Sequence, residues 1–360
     1  MAALPPQFAY ALNRLSGYST NIFKLEPQGS NSAVANNIIR ITLPANSLVN
    51  LRSFALHFNA AITSATGEGR LPNKIDSLIE RIEVGFGGVM VSQGNNNYNL
   101  LRHVKDALQG DKTDPVFAHP AVVRDKSYHS SAGTNGITAK YEVSSKYIID
   151  AWEGFLGTLE PGVLDLSLLP ECVIAIHLSS NNVCVDASGV ELSGHGSGID
   201  VNAASPAPVY QLSNIYATVE CVGMADGAYD AMVSAMLNSG TGLELPYKQY
   251  ISFQDNTQST MRWSVATQSL DRVWISHRDT GYNQAGGAVP IKGYKVAGAF
   301  AASTSGGGTT QDLGKPEIAD VLNYDKEKYT TKYFDMPTTN ATGHQLALNG
   351  ALFPQFQADF

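Results

Sequence analysis

At 360 residues, with a formal net charge of −8, 43% hydrophobic and 16% charged residues, the chain has room for two domains and a surface unusually poor in ions. No Lys/Arg block occurs anywhere, so the clustered cations that phosphate binding needs are missing and direct contact with a genome is not expected. No run of about 18 apolar residues suits a membrane span, no basic start joins an apolar core as in a signal peptide, and three cysteines (Cys172, Cys184, Cys221) lack metal-ligand spacing and are too few for a disulfide-stapled secreted domain.

Residues 1–36 have little periodicity and read as an N-terminal arm. Ile39, Ile41 and Leu43 then alternate with Arg40 and Thr42, and Phe54, Leu56, Phe58, Ala60 and Ile62 alternate with His57 and Asn59. A period of two kept this long means strands with one face on a core. Residues 64–74 read as a turn-rich loop. Ile82, Val84 and Phe86 lead into Gly87-Gly88 and then Val89 and Val91, which predicts a tight hairpin, because a two-residue turn wants positive φ at both positions. Tyr98, Leu101, Val104, Lys105 and Leu108 mark a short helix ended by Gly110. From Asp111 to Tyr147 the pattern is weak and predicts a long loop, a feature seldom idle in a compact protein. Cys172, Ile174, Ile176 and Leu178 form a further strand, with Val183–Val185 expected to pair back across Ser180-Asn181-Asn182.

Residues 187–208, with Gly, Ser, Ala and Pro, suit a connector between domains. Beyond it, Ile215–Cys221 reads as the opening strand of a second sandwich. A helix stripe follows through Tyr229, Met232, Val233, Met236 and Leu237, with Asp226 placed to cap it and Gly240 to end it. Strand patterns then recur at Tyr250–Phe253, Met261–Ala266 and Ser269–Ile275. Residues 280–315, with Gly306-Gly307-Gly308, predict an exposed loop, and Tyr333-Phe334 and Leu346–Leu348 give short late strands. The expected division is therefore an arm at 1–36, a first jelly roll at 37–186, a linker at 187–208 and a second jelly roll at 209–360. Roughly eight strand patterns fall in the first half and roughly six in the second, so the second sandwich is expected to be truncated at the C-terminus.

Chemistry finds little support in the residues. No His-Glu-x-x-His, P-loop or Gly-x-Ser-x-Gly string is present. Gly194-His195-Gly196-Ser197-Gly198 follows no apolar strand and opens no helix, so it reads as linker. His57 and His177 fall on the polar positions of strands. Asp271-Arg272 with His277-Arg278 could be drawn as an acid/base cluster, but an ion pair is the plainer reading. Trp152, Trp263 and Trp274 could serve a sugar-stacking platform, although strand-alternating aromatics are more often core. Asn340-Ala341-Thr342 matches a glycosylation acceptor, without a signal peptide to bring it to the modifying enzymes. The chain is expected not to be an enzyme, and no catalytic, cofactor-binding or metal-ligating residues are assigned.

Three ordered groups of strings carry a resemblance. Trp152-Glu153-Gly154-Phe155-Leu156-Gly157 is followed by Val163-Leu164-Asp165-Leu166 and the Ile174 strand. Gly227-Ala228-Tyr229-Asp230 and Ser269-Leu270-Asp271-Arg272-Val273-Trp274 come next, and Asn349-Gly350-Ala351-Leu352-Phe353-Pro354-Gln355-Phe356 comes last. Together they resemble the major capsid proteins of Polinton-like viruses and virophages, in the wider group that includes adenovirus hexon, over roughly residues 37–360. The resemblance implies an all-β double jelly roll, two antiparallel eight-stranded sandwiches per chain with short helices in loops. It also implies a homotrimer with a pseudo-hexagonal outline, neighbouring capsomers, minor capsid and vertex proteins as partners, and a place in the virion shell. Relatives generally continue past the Pro-Gln-Phe segment. The acidic balance adds the expectation that a membrane or another protein lies between coat and genome. An alternative from the residues is an extracellular carbohydrate-binding β-sandwich, such as an adhesin.

Overall fold

The apolar–polar alternation between Leu48 and Thr63 organises the molecule, because it makes a 16-residue strand with neighbours on both sides. In the computed structural model the described residues are 18–63, 68–72, 75–92, 97–109, 128–130, 144–160, 162–186, 209–224, parts of 231–238, 244–255, most of 262–278, 288–290, 329–334, 343–348 and 351–359. In chain order the strands of the first part are β1 (Tyr18–Leu25), β2 (Ala33–Val34), β3 (Ile38–Thr42), β4 (Leu48–Thr63), β5 (Glu68–Arg70), β6 (Ile79–Phe86) and β7 (Val89–Ser92). Helix α1 (Tyr98–Gln109) precedes β8 (Tyr128–Ser130) and β9 (Ser144–Ile149). The short α2 (Phe155–Thr158) precedes β10 (Val163–Asp165), β11 (Cys172–Leu178), β12 (Val185–Asp186) and β13 (Val209–Met224). Last come β14 (Ala288–Pro290), β15 (Tyr329–Thr331), β16 (Gly343–Leu348) and β17 (Ala351–Asp359).

The pairing of these strands is nested. β1 pairs with β13, β3 with β11, β4 with both β9 and β10, and β6 with β7, all antiparallel. Two further ladders, β13 with β4 and β11 with β6, join the nested pairs into two sheets of order β1-β13-β4-β10 and β3-β11-β6-β7. A long hairpin folded over on itself, first strand against last and innermost strands joined by a tight turn, is the eight-stranded jelly roll. The innermost turn is the one expected from Gly87-Gly88: φ is +54° and +86°, the left-handed values that a two-residue hairpin requires.

The core lies between the sheets. Ile39, Ile41, Val49, Leu51, Phe54, Leu56, Phe58, Val84, Ile174, Ile176, Ala217 and Val219 are all buried in one continuous cluster. Enclosing a side chain such as Phe54 contributes about 2–3 kcal/mol relative to leaving it in water.

Two bulges keep the apolar face inward along the long strands. In β4 the buried positions switch from odd (Val49, Leu51) to even (Phe54, Leu56, Phe58). There the ladder with β13 slips between Thr218 and Glu220. The Ser53 hydroxyl closes the gap, donating to the Asn50 carbonyl at 2.7 Å and accepting the Glu220 N–H at 2.8 Å. In β13 the switch falls between Leu212 and Ile215, where Asn214 takes φ +50° and one extra residue is absorbed.

Several expectations are revised. The strand at Ile215–Cys221, read as opening a second sandwich, is the eighth strand of the first: β13 lies between β1 and β4. The presumed arm holds the first strand, because Tyr18–Leu25 pairs with the far end of β13. The ladders thus put Tyr18–Leu25 and Val209–Met224, outside the expected bounds of 37–186, in the same sheet as β4. Alternation marks a strand but is silent on its partner, and here the partners stand some 200 residues apart. The weak stretch before Tyr147 ends in β9, whose backbone pairs with β4 although its sequence, Ser-Ser-Lys-Tyr-Ile-Ile, is half polar. Residues 64–74 hold β5, and Val185 pairs with Arg70 of β5 instead of folding back on β11. Tyr333 and Phe334 lie in a 3-10 turn that follows β15.

The helix stripe at 98–108 is α1, with Tyr98 and Val104 buried. Residues 231, 233–235 and 238 are helical, with Val233 buried, as the second stripe predicted; its expected caps Asp226 and Gly240 lie outside the described residues. The strand patterns at 250–253, 262–265 and 269–275 take no regular secondary structure and join no ladder among the described residues. Past Met224 the described ladders are the pairs β14·β15 and β16·β17.

Candidate assembly surface

Among the described residues, His57, His177, Glu83 and Asp271 each have a structural partner. His57 stacks on Tyr216 at 4.7 Å with the rings 3° from parallel, and its Nε2 lies 2.9 Å from Thr218 Oγ1. His177 Nε2 lies 3.1 Å from Glu83 Oε2, and Arg81 reaches the other Glu83 oxygen at 2.9 Å. Asp271 meets Lys248 Nζ at 2.7 Å rather than His277, and the hydrogen bond and charge of that lysine hold its carboxyl below the usual range. Both partners are exposed, so this is the plain surface ion pair. Arg278 instead packs on the Tyr333 ring at 4.5 Å and donates to the Tyr333 carbonyl at 3.1 Å.

The three cysteines are buried free thiols. Burial pushes Cys172 up to about 12 and raises Cys184 and Cys221 as well, which keeps them protonated and unreactive at neutral pH. Among the described residues no group of three His, Cys, Asp or Glu side chains could hold a metal ion, and no helix is long and apolar enough to cross a membrane. The Gly194–Gly198 loop and the Asn340 acceptor lie outside the described residues.

What the surface does present is apolar side chains on sheet edges and on segments that join no ladder among the described residues. Among the described residues β1 is the last strand of its sheet, eight residues long, with Ile22 77% and Phe23 46% exposed. At the edge of the facing sheet, Val89 and Met90 of β7 are exposed as well. A long apolar edge strand is a template for another chain, and proteins that stay single blunt such edges with charge, proline or a covering segment. Downstream, Ile251, Phe253, Trp263, Val265, Leu270, Val273 and Ile275 are exposed on segments that join no ladder among the described residues, and the Phe253 and Trp263 rings stack at 6.2 Å. Sequence reading marked these as strand faces bound for a core. It could not show that these side chains would be exposed, because period two is the same for a covered face and an uncovered one.

Between the jelly roll and this downstream run lies a seam built by the Trp152–Gly157 string. Trp152 is a core residue whose indole N–H donates to the Phe54 carbonyl at 2.7 Å. Gly154 sits at φ +74° before α2. Gly157 passes so close to Trp152 that an added Cβ would meet its carbonyl oxygen at 1.8 Å. That close turn presents Phe155 to Phe86 on one side and, edge on, to Tyr247 at 5.1 Å on the other. Backbone contacts continue the seam: Glu160 N–H donates to Pro246, Lys248 N–H to Thr158 Oγ1, and Tyr247 O–H to the Val91 carbonyl.

No family model matches the chain, and no curated protein matches it. Solved structures similar to it include the PBCV-1 protein VP54 fitted into a reconstruction of the virophage Sputnik, 16% identical over 59% of this chain and 43% of that one, with a TM-score of 0.34. The Faustovirus major capsid protein is 9% identical over 61% and 56% of the two chains, with a TM-score of 0.33. The atomic structure of Sulfolobus Turreted Icosahedral Virus contributes a chain 10% identical over 62% and 48%, with a TM-score of 0.29. The chain spans about half the length of the solved structures it matches.

Proposed function

We propose that this chain is a shell-building protein, the major capsid protein of a virus, whose activity is association with copies of itself. The observation that carries the reading is the edge strand β1, paired with β13 on one side, meeting no strand on its other side among the described residues, and bearing exposed Ile22 and Phe23 on a chain with few charges. Large permanent interfaces are more apolar than ordinary surface, and a charge content of 16% suits a chain much of whose outside is covered by neighbours. The ordered strings at 152–157, 227–230, 269–274 and 349–356 support the same assignment by their resemblance to virophage and Polinton-like capsid proteins.

In this reading the residues after Met224 belong to a second jelly roll, and the exposed apolar side chains at 251–275 are part of its wall. Three chains carrying two sandwiches each would close a ring through repeated heterologous contacts and offer six near-equivalent edges to neighbouring capsomers. Minor capsid and vertex proteins would complete the particle, and the acidic balance assigns the genome contact to another protein or an internal membrane. Negative-stain images of the purified protein test this: hexagonal trimeric tiles are expected, and a field of single small particles would contradict it.

A second reading, a carbohydrate-binding β-sandwich, rests on the exposed Phe253–Trp263 pair, which could stack against a sugar ring. Binding on a glycan array, lost in Trp263→Ala, from a protein that does not self-associate would favour it.

A further inference from the structure

The carboxylate of Glu153 joins the jelly roll's helix α1 to the start of the downstream chain. Further on, α1 reaches that chain again through Asn99, which donates to the Tyr333 hydroxyl at 3.2 Å, and through His103, whose ring lies 5.2 Å from Phe334. The Glu153 side chain is 8% exposed. One oxygen takes Arg102 Nη1 at 3.1 Å and Lys105 Nζ at 2.5 Å, both from α1. The other accepts the Tyr250 O–H at 3.0 Å from the downstream segment. Arg102 in turn donates to Asp76 at 2.8 Å, which ties the helix to the 3-10 turn before β6. The Lys105 ammonium also lies 5.9 Å from the Tyr250 ring, so the same cation faces both members of the Glu153–Tyr250 contact.

We infer that Glu153 is a latch: it fixes the segment around Tyr250, and with it the start of the downstream half, onto a jelly roll that folds without that contact. The eight nested strands and their core are complete without Tyr250, whereas the described residues from 244 to 255 join no ladder of their own. Contacts that seat the segment include Leu245 and the Tyr247 ring against the core, the Tyr247 hydroxyl, the Glu160 N–H to the Pro246 carbonyl, the Lys248 N–H to Thr158 Oγ1, and this carboxylate. A hydrogen bond to a buried charged acceptor is the strongest single polar contact in such a set. The inference does not depend on what the protein assembles into, because it concerns the two halves of one chain.

Hydrogen–deuterium exchange on the full chain tests it with two variants. Tyr250→Phe keeps the ring and deletes only the O–H, and Glu153→Gln keeps the shape and deletes the charge. Either is expected to speed exchange at 245–253 by roughly tenfold while leaving β4, β6, β11 and β13 unchanged, a local opening and not a global one. Unchanged exchange at 245–253 in Tyr250→Phe would overturn the inference. So would faster exchange that rises equally in the core strands, since the contact would then belong to the fold as a whole. Should Glu153→Gln fail to fold, the Tyr250→Phe result alone decides.

Discussion

Trp152 hangs from Phe54 by two contacts at once, an indole N–H to the Phe54 carbonyl at 2.7 Å and a ring-to-ring approach of 5.6 Å. The carbonyl belongs to the bulge of β4, where the ladder to β13 is interrupted, so the indole supplies the partner that the sheet cannot. Trp152→Phe is expected to destabilise the jelly roll by about 1–3 kcal/mol, the cost of leaving a buried carbonyl unpaired. Urea unfolding followed by intrinsic fluorescence or circular dichroism measures this. An unchanged midpoint would mean that another group satisfies Phe54.

Glycines 157 and 88 should respond very differently to alanine. At Gly157 a Cβ would stand 1.8 Å from the Trp152 oxygen, a contact that only movement of the backbone can relieve. At Gly88 the φ of +86° costs strain of about 1–2 kcal/mol, but the space is open. Gly157→Ala is expected to be insoluble or to lose well over 3 kcal/mol, while Gly88→Ala remains folded with a modestly lower melting temperature. Equal soluble yields and equal melting temperatures would contradict the close approach.

Alkali should unfold the protein. Burial raises the thiol of Cys172 from 9.0 to about 12 and raises those of Cys184 and Cys221 too, and the phenols of Tyr98 and Tyr210 move the same way. A group whose folded pKa is raised stabilises the fold fully below its unfolded pKa and loses that contribution as pH climbs toward the folded value. Stability is therefore expected to be flat up to about pH 9 and to fall between about 9 and 12. The companion observation is that a thiol reagent at pH 8 labels none of the three cysteines in the native protein and all of them in urea. Rapid native labelling would contradict their burial.

Most of the jelly roll's strands were legible one at a time, and their arrangement was not. Ile39–Leu43, Phe54–Ile62, Ile82–Phe86 and Cys172–Leu178 announce themselves by alternation, and Gly87-Gly88 announces the central hairpin. β1 escaped because Tyr-Ser-Thr-Asn-Ile-Phe-Lys-Leu at a sheet edge has little to bury, so its face is mixed. β13 was legible as a strand but assigned to the wrong sandwich, since pairing register is a property of two distant segments together. The seam was half legible: the Trp152–Gly157 string stood out, but nothing in it names Tyr247 or Tyr250 as its partners. The candidate surface was hidden for a third reason. Ile22 and Phe23 look like any strand hydrophobes until the edge position of β1 is known.

Charge placed on that edge should separate folding from association. Ile22→Lys alters a side chain largely in water and Phe23→Ser one that is about half covered in the single chain, so the unfolding free energy is expected to fall by no more than about 2 kcal/mol. If β1 is covered by a neighbour, the same pair of changes should weaken self-association by roughly tenfold or more. Concentration-dependent light scattering compares the two proteins.

Sedimentation velocity on the purified protein at micromolar concentration probes self-association, the central claim, most directly. The account predicts a dominant species with the mass of three chains at low micromolar loading, displaced toward monomer by Ile22→Lys/Phe23→Ser. A single sharp monomer boundary across that concentration range, identical in protein and variant, would contradict it.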